Sequence, residues 1–580
     1  MLLCSVAMAQ PVSKQFAYEQ REGDTRPKPN LTPCATSLAG KGPGVEPKLP
    51  GWQPNGIVVC DTAGSAYQQI CSDGQSGAII CWAEMYRGWP YDSSHTTTDV
   101  YAQRVDSGGN FVWQSQGVPV CSLSNSNASY PAMISDGQGG AIIAWEDDRD
   151  GLGYTRVFAQ RLDSLGNRLW PENGVTVCNQ WSGYVDLCTD GQGGAIISYV
   201  DGRDIANTQE NIYAQRIDGT GNPAWQIDGV PVCTADSTQW IPHICSNNAG
   251  GAIITWWDDY RNGSTNMDAY GQMINSLGNP KWTLNGEAFI TKLGNQKSFK
   301  PISDNNKNAL IGWADYTTPY TYMQSIDSFG IKQWGDTGVV VGRYGKFNTD
   351  SRGGGIGSNQ DTVNRIDSAG KICWGSGTPL HNTLPSGGEN DADSDGFGGL
   401  VAIWNYSTYL YAQRVDSSGV VLWKTTGVPV CTTMNTNNYQ KVVGDMTGGA
   451  IATWYGDPLN FWNHVWVQRV RADGSPGGVA GSPEIGILVY KPKMVIYPNP
   501  FQNNITASFV LANETNCDLA IYNVCGQRVR TVLNSNIKSG MHIIRWNGAD
   551  DNGNTVSSGL YIVILKSPGF STIQNILKIK

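Results

Sequence analysis

The hydrophobic and polar residues of this chain follow three phrases that recur in a fixed order. The first, GGAIIxW, is an apolar run after two glycines, as in residues 139–145. The second, YAQRxDxxG, alternates apolar and polar residues, as in 101–109. The third is a Trp followed by GVPVC or a relative, as in 113–121. Each phrase occurs eight times, with the third at Trp52, Trp113, Trp170, Trp225, Trp282, Trp334, Trp374 and Trp423.

Each phrase predicts a β-strand, because it is apolar or alternating over a few residues and ends at Gly, Asn or Asp. A fourth short strand precedes GGAIIxW, as in residues 130–136. Four antiparallel strands per repeat are typical of a β-propeller blade, so eight repeats predict an eight-bladed propeller. The chain resembles the repeat-built propellers of secreted bacterial proteins. A solenoid is the alternative, but neither end offers the polar capping repeat that a solenoid needs.

The phase of the repeat predicts how the propeller closes. The first copy of the third phrase, Trp52 to Cys60, has no blade before it, and the last blade stops after its third strand near Asp473. Both facts are explained if residues 52–60 supply the fourth strand of the last blade, which covers two sheet edges. The sequence therefore predicts an all-β fold, with four-stranded blades over residues 51–473 closed by an N-terminal strand.

The composition supports this fold class and excludes some partners. The chain has 70 Gly, 21 Trp and 25 Tyr, and only 15% of its residues are charged. A net charge of −9 argues against a nucleic-acid partner, which would need a basic surface. Because no apolar run approaches 18 residues, the sequence predicts no transmembrane helix.

The N-terminus has the pattern of an export signal. Ala7-Met8-Ala9 precedes Gln10 and fits a signal-peptidase site, although the usual basic segment is missing. We therefore expect a signal-peptide remnant at residues 1–9 and a proline-rich extended leader at 10–50. A linker rich in Gly and Pro is expected at 474–493.

Residues 494–580 differ in composition and contain alternating strands at roughly ten-residue spacing, which predicts a small β-sandwich. YPNPF (497–501), IYNVCGQRV (521–529), the segment 539–565 and the final KIK resemble the type IX secretion C-terminal sorting domain. That module is similar to the immunoglobulin-like domain of the flagellar hook-cap protein. Asn547 stands where the family has the Asp of a W-D-G turn. The resemblance implies secretion across the outer membrane of a Bacteroidetes-type cell, the type IX machinery as partner, and surface attachment.

Residues that recur in every blade are expected to be structural. The arginine of YAQR recurs at Arg104, Arg161, Arg216, Arg365, Arg414 and Arg469. The hairpin of Asp163, Gly166 and Trp170 resembles the Asp-box turn of sialidase propellers, with one extra residue. In that family the turn is a fold element. We find no arginine trio with a paired carboxylate, no G-x-S-x-G and no Walker loop, and the five histidines are scattered singly. The sequence therefore predicts no catalytic site.

One acidic segment is a candidate metal site. In DADSDG, Asp391, Asp393 and Asp395 place carboxylates at alternate positions before a glycine, like the first half of a Ca²⁺ loop. Calcium loops of integrin-type propellers lie in a similar turn. However, the twelfth position is Ala402 instead of Glu, and a solvated acidic turn is the alternative.

The 14 cysteines leave two interpretations open. Export favours disulfides, and Cys60/Cys71, Cys178/Cys188 and Cys233/Cys245 have the spacing of pairs. The second member of each pair aligns with Ile134, however, so the position accepts a plain apolar residue. Buried free thiols are therefore the favoured state.

Five tryptophans have no place in the repeat, and they define a candidate ligand-binding face: Trp89, Trp181, Trp240, Trp257 and Trp462. We expect three of them between second and third strands and Trp181 and Trp240 between blades, in loops that open on one face. The same loops carry Asp148, Arg149, Asp259 and Arg261. Flat rings beside charged groups suit a sugar, whose apolar face stacks while its hydroxyls hydrogen-bond. The alternative is that each Trp packs under its own loop.

Three functions compete. The leading hypothesis is a non-enzymatic cell-surface protein that binds a polysaccharide or another surface component. A secreted hydrolase or lyase acting on glycans is the second, because propellers host both kinds of protein. A carboxylate pair about 5–9 Å apart in the channel would favour that enzyme. The third is a structural component of a surface layer.

Overall fold

The computed structural model is an all-β protein. It describes residues 51–580 except 61–63, 86–96, 206–208, 260, 262–266, 291–294, 299–300, 304–308, 316–317, 319, 343–346, 351, 359–361, 382–389, 407–408, 433–437, 457–463, 478–493, 512–514, 539 and 569. The predicted signal peptide (1–9), the leader (10–50) and most of the linker (474–493) therefore lie outside the described residues.

The strands are numbered in chain order. The first half of the repeat region holds β1 (Ile57–Cys60), β2 (Ser65–Ser72), β3 (Ala78–Met85), β4 (Thr98–Val105), β5 (Val118–Cys121), β6 (Ser129–Ser135), β7 (Ala141–Asp147), β8 (Arg156–Leu162), β9 (Val175–Cys178), β10 (Ser182–Thr189), β11 (Ala195–Asp201), β12 (Asn211–Ile217), β13 (Val230–Cys233), β14 (Thr238–Ser246), β15 (Ala252–Asp259), β16 (Met267–Ile274) and β17 (Glu287–Ile290).

The second half holds β18 (Gln296–Ser298), β19 (Ile302–Ser303), β20 (Ala309–Asp315), β21 (Tyr320–Ile326), β22 (Val339–Gly342), β23 (Phe347–Thr349), β24 (Gly355–Ser358), β25 (Thr362–Ile366), β26 (Thr378–Pro379), β27 (Asn390–Ser394), β28 (Leu400–Tyr406), β29 (Tyr409–Val415), β30 (Val428–Cys431), β31 (Asn438–Gly444), β32 (Ala450–Gly456) and β33 (His464–Val470). The C-terminal region holds β34 (Val495–Tyr497), β35 (Ile505–Leu511), β36 (Thr515–Asn523), β37 (Arg528–Ile537), β38 (Gly540–Trp546), β39 (Gly559–Ser567) and β40 (Phe570–Lys578).

In the described part of the repeat region these strands form eight propeller-like antiparallel sheets. Sheets 1 to 4 are β2–β5, β6–β9, β10–β13 and β14–β17, and sheets 5 to 7 are β18–β22, β23–β26 and β27–β30. Sheet 8 consists of β31, β32, β33 and β1. The GGAIIxW phrase is the second strand of its sheet, and Ala141–Asp147 is buried along its whole length. Burial on both faces explains why this phrase is continuously apolar.

The first strands of consecutive sheets contact one another in a closed series. The contacts run from β2 to β6, β10, β14, β19, β23, β27 and β31, and β31 in turn contacts β2. The strand β1 pairs with β33, so that Ile57 lies opposite Val467 and Val58 lies opposite Trp466. The N-terminal segment therefore completes sheet 8, as the phase of the repeat predicts.

A Trp–Gly contact joins each sheet to the next. A Cβ atom added to Gly166 would lie 2.8 Å from Cγ of Trp113, so a larger residue would have to displace the indole. The indole Nε1 of Trp113 also donates to the carbonyl oxygen of Ser164 at 3.1 Å. The described residues contain eight such contacts: Trp52–Gly109, Trp113–Gly166, Trp170–Gly221, Trp225–Gly278, Trp282–Gly330, Trp334–Gly370, Trp374–Gly419 and Trp423–Gly474.

The recurrent arginines form ion pairs inside their sheets. Arg104 Nη2 lies 2.9 Å from Asp73 Oδ2, and its Nη1 donates to the carbonyl oxygen of Ser164 in sheet 2 at 3.1 Å. The equivalent pairs are Arg161–Asp136, Arg216–Asp190, Arg365–Asp350, Arg414–Asp395 and Arg469–Asp445. These arginines therefore hold the fold together, as their symmetric positions predict.

The C-terminal region forms two further antiparallel sheets, β34-β35-β38 and β37-β36-β39-β40. Its buried core includes Phe501, Phe509 and Trp546. The Nε1 of Trp546 donates to the carbonyl oxygen of Ala549 at 2.7 Å, and Asn547 Oδ1 accepts a hydrogen bond from the Ala549 amide at 3.3 Å. Asn547 thus accepts the turn hydrogen bond that an Asp would accept at this position.

The cysteines of the described residues are free thiols. None of the three cysteine pairs suggested by spacing forms a disulfide, so the structure agrees with the interpretation of the cysteines as free thiols. Burial raises the pKa of the Cys81 and Cys121 thiols to about 12. The thiolate, which is the reactive form, is therefore disfavoured.

The Trp–Gly contacts predict a difference between two alanine substitutions. Gly109 and Gly74 have positive φ angles of 85° and 73°, so each substitution introduces similar backbone strain. A Cβ at Gly109 would lie 2.4 Å from the backbone nitrogen of Trp52, whereas a Cβ at Gly74 would meet nothing within 4 Å. We expect Gly109→Ala to lower the free energy of unfolding by about 1–3 kcal/mol more than Gly74→Ala, because of overpacking. Calorimetric unfolding of both variants checks this, and equal losses would contradict the closing role of Trp52.

Candidate functional site

Five first strands are bulged at the same place in the part of the chain that the structure describes. In sheets 1, 2, 3, 4 and 8 the pairing register shifts opposite the aromatic residue of the second strand. At each bulge one bulky residue has a positive φ angle, which L-residues rarely adopt and which costs about 1–3 kcal/mol. These residues are Tyr67 (59°), Tyr130 (51°), Tyr184 (53°), Ile241 (49°) and Tyr439 (55°). These strained residues lie near the end of each sheet where the first strand begins. Repeated strain at equivalent positions marks this end as a candidate site.

Side chains of the preceding sheet bind two of the bulges through hydrogen bonds. The backbone amide of Tyr184 donates to Glu146 Oε1 at 2.8 Å. The backbone amide of Gln68 donates to the hydroxyl of Tyr455 at 2.9 Å. At these two bulges an amide leaves the strand ladder, and a side chain of the neighbouring sheet accepts its hydrogen bond.

The bulges bring half-buried aromatic side chains of neighbouring first strands together. Tyr67 and Tyr130 have ring centroids 4.2 Å apart, and their hydroxyl oxygens are 3.1 Å apart. Tyr184 and Trp240 have ring centroids 6.2 Å apart and are tilted by 40°. We name the following set the aromatic arc: Tyr67, Tyr130, Tyr184, Trp240 and Tyr439.

The aromatic arc spans adjacent sheets in the part of the repeat region that the structure describes. Its members come from sheets 8, 1, 2, 3 and 4, which are neighbours. In sheet 5 the residue opposite the second-strand Trp313 is Ser298, and in sheet 7 the residue opposite Trp404 is Asn390. Ser298 and Asn390 are polar, so the residue type at this end of the first strand differs among the copies of the repeat that the structure describes.

An acid–histidine pair lies beside the arc, at the junction of sheets 3 and 4. Asp186 Oδ2 is 3.6 Å from His243 Nδ1 and accepts a hydrogen bond from the Ile244 amide at 3.3 Å. Asp186 follows Tyr184 by two residues on one strand, and His243 follows Trp240 by three across the bulge. Two aromatic and two ionisable side chains thus share this junction.

Three of the five predicted tryptophans lie within the described residues. Trp89 and Trp462 lie outside the described residues, and Trp181, Trp240 and Trp257 lie at the end of their sheets where first strands begin and second strands end. The expectation that Trp240 and Trp257 lie in loops is wrong, because both are inside strands and oppose each other in register.

Two of these tryptophans have local packing roles. Trp257 is only 5% exposed, and Lys297 Nζ lies 4.3 Å from its ring centroid. Trp181 lies against Gly202, where a Cβ would approach its ring to 1.5 Å. Of the three described tryptophans, Trp240 is the one that belongs to the aromatic arc.

The two predicted arginines are held by their own sheets. Arg149 Nη2 is 2.5 Å from Asp147 Oδ2, and its guanidinium lies 3.7 Å from the ring centroid of Phe158. Arg261 forms the same ion pair with Asp258, and its guanidinium lies 4.1 Å from the Tyr270 centroid. These arginines therefore brace the ends of second strands.

The two predicted carboxylates of the same loops also have positions set by the fold. Asp148 accepts hydrogen bonds from Asn127, at 2.7 Å from the backbone amide and 2.9 Å from the side-chain amide. Asp259 is half-buried at the end of β15, opposite Thr238.

The acidic segment proposed as a calcium loop lies mostly on a strand. Asp391 Oδ2 and Asp393 Oδ2 each accept a hydrogen bond at 3.0 Å, from the amides of Val442 and Gly444 in sheet 8. Asp395 pairs with Arg414 at 2.9 Å. Among the described residues, no group of three or more His, Cys, Asp or Glu side chains is arranged to hold a metal ion. The three carboxylates have protein partners in place of a shared cation.

The tyrosines of the arc were missed by sequence reasoning, which searched only for residues outside the repeat. Tyr67, Tyr130, Tyr184 and Tyr439 all stand 11 residues before the first strand residue of GGAIIxW. A tyrosine that recurs at this position in some copies of the repeat is therefore the sequence signal that could have identified the arc.

Comparison with known protein families assigns the C-terminal region. Residues 495–579 match the family model described as a secretion system C-terminal sorting domain. Residues 495–579 are a type IX sorting domain. The protein is therefore secreted and attached to the cell surface. Among the described residues, no helix has the length and apolar character needed to cross a bilayer.

Solved structures that are similar to this chain include three with 9–12% sequence identity. Prolyl oligopeptidase B from Galerina marginata matches with a TM-score of 0.39 at 9% identity, over 77% of this chain and 55% of that chain. An α-L-arabinofuranosidase from Fusarium graminearum matches with a TM-score of 0.33 at 12% identity, over 59% and 93%. PorZ, a surface component of the type IX secretion system of Porphyromonas gingivalis, matches with a TM-score of 0.22 at 11% identity, over 89% and 75%.

These similarities do not assign an activity. The chain spans about half the length of the prolyl oligopeptidase, and TM-scores this low transfer no function to it. No curated protein matches the chain. The function of the region before the type IX sorting domain must therefore be argued from its own residues.

The buried carboxylate of Asp393 on the first strand of sheet 7 predicts that the free energy of unfolding depends on pH. Burial raises the pKa of Asp393 to about 6. Between about pH 4 and pH 6 the folded protein binds more protons than the unfolded chain, so this group's contribution to the free energy of unfolding falls as pH rises. Asp393→Asn keeps an acceptor for the Gly444 amide and cannot ionise. We expect the variant to be more stable than the wild type at pH 8, by an amount of the order of 3 kcal/mol, and equally stable at pH 4. Calorimetric unfolding at both pH values checks this, and a constant difference would contradict it.

The type IX sorting domain predicts the fate of a truncated protein. Removal of residues 494–580 deletes the segment that the family match assigns to export. We expect the truncated protein to stay in the periplasm of a cell with an active type IX system, whereas the full chain reaches the surface. Immunoblots of cell fractions measure this, with a point variant such as Gly74→Ala as the control for expression. Surface exposure of the truncated protein would contradict the assignment.

Proposed function

We propose that this chain is an exported, non-enzymatic surface protein that binds a glycan at the aromatic arc. The eight sheets act as blades of a closed propeller, and the type IX sorting domain, with an immunoglobulin-like sandwich fold, delivers them to the surface. The observation that carries the proposal is the aromatic arc itself, in which five neighbouring sheets present strained or bulge-flanking aromatic residues.

The closed series of first-strand contacts supports the propeller. In a propeller the first strands surround a central channel, so their starting ends form one mouth of that channel. The arc then lies along one side of this mouth, because its members lie at or beside the bulges near those starting ends. An arc of aromatic residues from adjacent sheets suits an elongated ligand that contacts several of them.

The chemistry of the arc favours a sugar chain. Half-buried aromatic rings offer flat apolar faces for the apolar faces of pyranose rings. The Tyr67 and Tyr130 hydroxyls and the Asp186–His243 pair lie beside these rings and supply groups for sugar hydroxyls. Sites for small molecules combine such apolar walls with a few polar groups.

The hydrogen bonds of the carboxylates on the first strands favour binding over hydrolysis. Glycoside hydrolysis needs two carboxyl groups that flank the scissile bond. Asp391 and Asp393 accept backbone hydrogen bonds from sheet 8. These carboxylates connect neighbouring first strands and are thereby committed to the fold.

We expect the full-length protein to bind one class of polysaccharide on a glycan array, and the arc to carry that binding. Tyr184→Ala and Trp240→Ala should each raise the dissociation constant about tenfold, which corresponds to 1.4 kcal/mol for one lost stacking contact. Phe329→Ala is the matched control, because Phe329 is 79% exposed in the hairpin after β21, at the opposite end of the sheets. Titration calorimetry with the array ligand measures all three variants.

Two results would contradict the proposal. Unchanged affinity in both Tyr184→Ala and Trp240→Ala would place the site elsewhere. If chromatography detected oligosaccharides released from the bound polysaccharide, the protein would be a hydrolase or lyase.

A further inference from the structure

The type IX sorting domain contains a cleft that its assigned role in export does not explain. The cleft has a volume of about 510 Å³, within the usual range of ligand pockets. It opens between the two C-terminal sheets, with residues of β37 on one side and residues of β38 on the other. Its lining residues are Asn503, Asn504, Arg530, Val532, Arg545, Trp546 and Asn547.

The lining carries a surplus of positive charge. It includes two guanidinium groups and three side-chain amides, and no carboxylate. Arg530 Nη1 donates to the carbonyl oxygen of Asp550 at 2.8 Å, and its Nε lies 3.9 Å from an Asp551 carboxylate oxygen that is exposed to solvent. Arg545 is exposed on β38, opposite Thr506, and forms no ion pair with any residue that the structure describes.

This set of donors suits an oxyanion. A guanidinium group presents a planar fork of N–H donors that pairs with two oxygens of a phosphate, and it is weakly hydrated. The amides of Asn503 and Asn504 add neutral donors at the rim. We propose that this cleft binds a phosphate group, with Arg545 as the main contact and Arg530 as the second. The phosphate belongs to a soluble phosphate or to a lipid headgroup, which share this chemistry.

Titration of the full-length protein with inorganic phosphate tests the site directly. We expect saturable binding at matched ionic strength, and at least a tenfold weaker affinity for Arg545→Ala. Arg528→Ala is the matched control, because Arg528 is exposed on the same strand as Arg530 and does not line the cleft. It removes the same charge from the same domain and should change the affinity less than twofold. Calorimetric unfolding shows that both variants are folded.

A second experiment distinguishes a lipid headgroup from a soluble phosphate as the source of the phosphate group. Cosedimentation with phosphatidylcholine vesicles that contain phosphatidic acid, compared with pure phosphatidylcholine vesicles, tests a lipid headgroup. Binding that Arg545→Ala abolishes assigns the lipid source, and phosphate binding without vesicle binding assigns the soluble source. The proposal is overturned if the wild type does not bind phosphate, or if the two arginine variants lose affinity equally. Neither result bears on the aromatic arc, which lies in the repeat region.

Discussion

The contact between a tryptophan of one sheet and a hairpin glycine of the next is the interaction on which the repeat region depends. A single four-stranded sheet cannot bury both of its faces, so each must pack against neighbours. The indole fills the space above a glycine that has no Cβ atom, and in sheet pairs such as Trp113 and Ser164 it also donates a hydrogen bond. The same contact between Trp52 and Gly109 connects the segment before β1 to sheet 1. Closure therefore uses the same interaction as every internal junction, with the pairing of β1 and β33 added.

A second constraint acts on the first strands, which have a sheet partner on one side only. Their outward backbone groups need hydrogen-bond partners from elsewhere. Asp391 and Asp393 accept hydrogen bonds from amides of the next first strand, and Glu146 accepts one at a bulge. Acidic residues that resemble a cation site in sequence thus replace part of a strand ladder. The bulges belong to the same solution, and they also turn aromatic rings toward one another.

The proposed binding site and the sorting domain lie in different parts of the chain. The aromatic arc uses residues that differ among copies of the repeat, so the symmetric residues remain available for packing. The type IX sorting domain has its own core of Phe501, Phe509 and Trp546. Its cleft lies between two sheets that contribute nothing to the repeat region. The repeat region can therefore vary its arc without changing the signal that directs export.

The sequence by itself determined the strands, the phase of the repeat, the closing role of residues 52–60 and the type IX sorting domain. These features depend on local hydrophobic pattern and on matching phrases, which are visible in one dimension. The site was predicted less well, and Trp240 is the member of the aromatic arc that sequence reasoning selected. Trp257, Arg149 and Arg261 stand out in sequence but pack within or between sheets. Only the tertiary structure decided these roles, because a bulge shifts the register by one residue and changes which side chains of adjacent strands meet.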